Sequence, residues 1–114
     1  MTDVRYQHRH LDVACELEGP EARARLAEWQ RLRETHGLGA ESIPGGARLW
    51  LRSDAVEAAG DLARREALCC GFLDIELVAV GDRWRLDIRS PVPEGSEVGA
   101  LLVGIPPERT PRCR

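Results

Sequence analysis

Four cysteines, at positions 15, 69, 70 and 113, are the side chains in this 114-residue chain with the widest chemical range. Two of them are adjacent. Neighbouring residues at the end of a helix point about 100° apart around its axis, so the thiols of Cys69 and Cys70 can lean into the same cleft. A disulfide between them is strained, because an eight-membered ring does not reach the separation and dihedral of a relaxed bridge. A soft cation meets no such obstacle. Thiolates select thiophilic partners such as Cu(I), Zn²⁺, Hg²⁺ or trivalent arsenic, with two ligands giving a linear site and three a trigonal one. Cys15 falls on the inward phase of an alternating segment and is the candidate third ligand. Glu66 precedes Cys69 by three residues and Cys70 by four, which on a helix places its carboxylate one turn from both sulfurs. It also interrupts an apolar stripe, where a carboxylate is costly unless paired; Arg64, Arg65 or a thiol proton are the partners expected from sequence.

The same residues admit a second chemistry. A cysteine thiolate acts as a nucleophile when its pKa is lowered, with Glu66 or Asp74 as proton donor or acceptor. Cys69, Cys70 and Glu66 are then catalytic, in a reaction such as cleavage of an organomercurial bond. The third possibility is structural: free cysteine is among the most buried residue types and packs as a small hydrophobe, so the thiols of an interaction domain can be incidental. Cys113 sits in the tail and has no assigned role. His8 and His10 lack a second ligand pair at metal-site spacing. His36 reads as a helix C-terminal residue favoured by the dipole.

Composition sets the frame. A chain of this length is one domain and builds its core without disulfide staples. It is 43% apolar and only 4% aromatic, so the core is aliphatic. With 16 basic residues, all arginine, against 19 acidic ones, the net charge is −3, the opposite of a nucleic-acid-binding footprint. Direct nucleic-acid binding is not expected. No segment approaches the roughly 18 apolar residues of a membrane span, and the N-terminus has no signal-peptide apolar run. A cytoplasmic, reducing location follows, in which cysteines are free thiols, metal ligands or redox groups. Expected partners are the metal ion or a small thiophilic ligand, and a second copy of the chain or a regulator protein.

The elements that must position the thiols follow from periodicity. Leu11, Val13, Cys15 and Leu17 alternate with polar residues as a half-buried strand does. Gly19-Pro20 breaks it and opens an amphipathic helix whose inward stripe is Ala22, Leu26, Trp29 and Leu32 or Arg33, ended by Gly37-Leu38-Gly39. After the turn signal Pro44-Gly45-Gly46, Ala47, Leu49 and Leu51 face one side of a strand and Arg48, Trp50 and Arg52 the other. Asp54 and Glu57 form a capping-box start for a second helix with the stripe Ala55, Ala59, Leu62, Glu66 and Cys69. Residues 74–80 and 83–89 form a hairpin about Gly81-Asp82, and residues 94–103 a last short helix. The expected class is α+β in the order β-α-β-α-β-β-α, a mainly antiparallel four-stranded sheet with two or three helices on one face. Residues 1–10 are expected as an N-terminal extension, 11–104 as a single domain and 105–114 as a flexible proline-rich tail.

Three stretches together resemble a known group. Ala14-Cys15-Glu16-Leu17, Arg25-Leu26-Ala27-Glu28-Trp29 and Glu66-Ala67-Leu68-Cys69-Cys70-Gly71-Phe72 are similar to small uncharacterised Glu-x-x-Cys-Cys-x-Phe proteins, some associated with mercury-type MerR regulators. The resemblance spans residues 11 to 103 and departs at Gly71, where proline or another residue is expected. It implies heavy-metal or metalloid handling, with any regulatory role exercised through a partner.

Overall fold

The computed structural model describes residues 3–7, 20–69, 73–91 and 93–105. Helix α1, Pro20–His36, starts with proline in its first turn, where the missing N–H has no helical partner to lose. Its buried residues are Trp29 and Leu32; Leu26, expected inward, is 37% exposed. The helix passes directly into strand β2, Gly37–Ile43, and the turn Pro44-Gly45 leads into β3, Gly46–Arg52. A 3₁₀ turn, Ser53–Ala55, precedes helix α2, Val56–Cys69. The hairpin of β4, Asp74–Val80, and β5, Arg83–Arg89, turns at Gly81-Asp82 as expected. Gly81 has a φ of 64°, and glycine leading a two-residue loop is the choice of II′ hairpins. Helix α3 spans Pro93–Val103.

The α+β class, the antiparallel sheet and the order of elements are those expected from the sequence, while two of the strands, β1 and β2, fall where none is expected. Five strands pair in the order β1-β4-β5-β3-β2, every pair antiparallel. Strand β2 has the glycine-rich sequence GLGAESI, without apolar alternation. As an edge strand paired only with β3 and exposed from Leu38 to Ser42, it has no buried face to announce it. The opposite edge, β1 at Asp3–Gln7, lies in the stretch expected to be an extension, and its backbone pairs with β4. The strand expected at residues 11–17 and the tail at 106–114 lie outside the described residues, as do Cys15 and Cys113.

One face of the sheet carries the core. Leu49 and Leu51 of β3, Ile75 and Leu77 of β4, and Leu86 and Ile88 of β5 are 0–2% exposed and form one cluster with Trp29, Leu62 and Leu102 from the helices. Each such aliphatic side chain contributes about 1.5–3 kcal/mol on burial. Trp84 packs against this cluster, whereas Trp50 lies on the opposite phase with Arg48. The capping box expected at Asp54 is not formed. Asp54 lies inside the 3₁₀ turn, and its Oδ1 pairs with Nδ1 of His36 at 3.0 Å, joining the end of α1 to the start of α2.

Candidate functional site

Helix α2 buries one continuous stripe. Ala55, Ala59, Leu62, Ala63, Glu66 and Ala67 are each at most 3% exposed, so the expected stripe is present from Ala55 as far as Glu66. A carboxylate so placed loses its hydration and needs donors. It finds them on α1. Trp29 Nε1 donates to Glu66 Oε1 at 2.9 Å, and Arg25 Nη1 donates to the same oxygen at 3.2 Å. Arg25 and Trp29 are four residues apart, hence on one face of α1, and both reach across the helix pair.

This corrects the pairing expected from sequence. Arg64 and Arg65 precede Glu66 by two and one residues and project from other sides of the helix. Arg64 instead bonds Asp61 at 2.7 Å. Arg65 forms a two-pronged pair with Glu28, at 2.7 and 3.1 Å, and also bonds Asp61. The Arg65 hydrogen bond is the main reason the carboxyls of Glu28 and Asp61 sit below their ordinary ranges, and the Glu28 bond is the main reason the Arg65 guanidinium is raised above its own. Two ion pairs, Arg25–Glu66 and Glu28–Arg65, therefore tie α1 to α2. A groove of about 310 Å³ between these helices is lined by Arg31, Thr35, His36 and the Glu28–Arg65 pair, and Glu66 is not among its lining residues.

Cys69 is the final residue of α2, one turn beyond Glu66. Cys70 and Phe72 lie outside the described residues. Asp74, the alternative proton carrier, is the first residue of β4 and is half-buried, in register with Gln7 of β1 on one side and Arg89 of β5 on the other. That register has a topological consequence. The chain leaves β1 at Gln7 toward Cys15, and it returns from Cys70 into β4 at Asp74, at the same end of the same strand pair. Among the described residues no group of three His, Cys, Asp or Glu side chains is arranged to hold a metal ion.

Sequence reasoning missed a second ionic centre. On the face opposite the core, Asp87 of β5 is 0% exposed and accepts two bonds from Arg48 of β3, from Nε at 2.8 Å and from Nη2 at 3.1 Å. Arg85 Nε lies 3.2 Å and Arg89 Nη2 3.4 Å from its Oδ2. Glu41 of β2 is 3.6 Å from Arg48 and accepts from Trp50 Nε1 at 3.2 Å. Hydrogen bonding to Asp87 is the main cause of a raised Arg48 pKa. The signal was present in the outward phase of β5, Arg83, Arg85, Asp87 and Arg89, an acid set among three bases opposite Arg48.

No helix is long and apolar enough among the described residues to cross a membrane. No family model, curated protein or solved structure matches the chain.

Proposed function

We propose that the chain binds a soft metal or metalloid ion, such as Hg²⁺ or As(III), through Cys15, Cys69 and Cys70, as a chaperone, buffer or sensing module in a reducing cytoplasm. The observation that carries this reading is the burial of Glu66 one turn before Cys69, held by Trp29 and Arg25. An apolar side chain would continue the α2 stripe without the cost of desolvating a carboxylate. Thiols release protons when they bind a metal, and an acid one turn before Cys69 would be available to take them up or to offset the charge of the ion. The shared strand end at Gln7 and Asp74 supports a three-thiol set, because the segments carrying Cys15 and Cys70 start from neighbouring backbone positions.

The resemblance to Glu-x-x-Cys-Cys-x-Phe proteins supports the same class of cargo, and a second copy of the chain or a regulator protein is the partner it suggests. Titration of the reduced protein with Hg²⁺ or As(III) against a competing dithiol tests the reading. One ion per chain is expected, with binding lost in Cys69→Ser and in Cys70→Ser and weakened in Cys15→Ser and Glu66→Gln. Serine variants at 69 and 70 that bind as well as the unaltered protein overturn it.

A further inference from the structure

The face of the sheet opposite the core divides into rows across the strands. One row joins Arg5, Glu76, Asp87, Arg48 and Glu41; the next joins Asp3, Val78, Arg85 and Trp50; the one beside the Gly81-Asp82 turn joins Val80, Arg83 and Arg52. In the first row Arg48 lies between Asp87 and Glu41, and Arg85 and Arg89 from outside the row supply further positive charge at Asp87 and Glu76. The last row is different. Arg52 and Arg83 are directly opposite each other on β3 and β5, both exposed, and among the described residues neither has a carboxylate partner. Like charges in opposed positions on one sheet face destabilise the pairing. Arg83 stacks 4.7 Å from the centre of the Trp50 ring, which orients one guanidinium. Val78 and Val80, half-buried, make the adjoining surface apolar.

We propose that Arg52 and Arg83, with Trp50 behind them, form a binding site for the phosphate group of a small molecule. Two uncompensated guanidiniums match the charge of about −1.5 to −2 that a phosphate monoester carries at neutral pH. Each presents planar N–H donors suited to two-pronged contact with phosphate oxygens. A carboxylate carries a single negative charge and would neutralise only one of the two. The bound dianion removes the repulsion between the opposed side chains. Since the chain as a whole carries −3, the attraction is local and weakens with added salt.

Calorimetric titration of the full chain with inorganic phosphate and, separately, with adenosine 5′-monophosphate tests this, using Arg52→Gln and Arg83→Gln. Saturable binding of at least one ligand is expected, weakened about tenfold in each variant by loss of a charge-assisted contact. The urea midpoint of Arg52→Gln without anion is expected to stay level or rise, because repulsion is relieved. Tighter binding of the nucleotide than of phosphate assigns an ester whose remainder rests on Val78 and Val80, and equal binding assigns the free anion; both sustain the site. Absence of saturable binding, affinity unchanged in both variants, or binding confined to a single-stranded oligonucleotide overturns it.

Discussion

Among the described residues two acids are buried, Glu66 and Asp87, and they are held in different ways. Asp87 stands on the face opposite the core amid three guanidiniums from β3 and β5, which are themselves 23–40% exposed and keep access to water. Glu66 stands between two helices, where Trp29 is fully buried and Arg25 is 14% exposed, and where every other buried residue of α2 is apolar. Asp87 cross-links strands: remove it and three like charges crowd one patch of the sheet. Glu66 joins α1 to α2, a task the Glu28–Arg65 pair already performs on the same helices. The contrast separates an acid that the architecture needs from one whose position beside Cys69 calls for a chemical explanation.

The sharpest way to break the comparison is to delete each acid. Asp87→Ala leaves its arginines facing one another and is expected to lower unfolding free energy by about 3 kcal/mol, the low end for an interrupted buried pair because the arginines can relax into water. Urea denaturation measures it, and a loss under about 1 kcal/mol would mean that the arginines are solvated independently of Asp87. Glu66→Leu is expected to cost less, about 1–2 kcal/mol, since the Trp29 N–H loses its acceptor while the new side chain gains apolar burial. Pairing Glu66→Leu with Arg25→Leu should recover part of that loss, as replacing both partners of a buried pair usually does. A stability cost at Glu66 equal to that at Asp87 would remove the distinction.

A weaker effect is expected from pH. Glu28 and Asp61 have carboxyls lowered in the fold by Arg65. Their contribution is therefore complete above the ordinary carboxylate values of about 4, and it is lost as the pH falls through the lower values of the folded state. Thermal melts from pH 6 down to pH 3 should show a decline that flattens in Arg65→Gln. Both acids are substantially exposed, so the effect is modest and shrinks with salt. Smallest of all, Trp50→Phe removes the exposed N–H bond to Glu41 and leaves a smaller aromatic face for Arg83, and should change stability by no more than about 0.5 kcal/mol.

Local pattern made most of the scaffold legible. Pro20, the 3.6-residue spacing of α2 and the Gly81-Asp82 turn located their elements because burial of one face writes a period into the sequence. Strand β2 was illegible because an exposed edge carries no such period, and β1 because its five residues, DVRYQ, offer too short a pattern. At the candidate site, the sequence marked Glu66 as an anomaly in an apolar stripe but could not name its partners. Arg25 and Trp29 lie 41 and 37 residues away, and only the packing of α1 on α2 brings them there. The arginine cage of Asp87 was likewise written in the outward phase of β5, yet it became readable only once the register set Arg48 opposite.

The central claim, a thiol site for a soft ion at the end of α2 beside Glu66, is tested most directly by native mass spectrometry of the reduced chain with Hg²⁺, As(III) and Zn²⁺ in turn. The account predicts one Hg or As atom per chain, with the mass lowered by the protons displaced from two or three thiols and the adduct absent from the Cys69→Ser/Cys70→Ser double variant. No adduct on the unaltered chain, or the same adduct on the double variant, would contradict it.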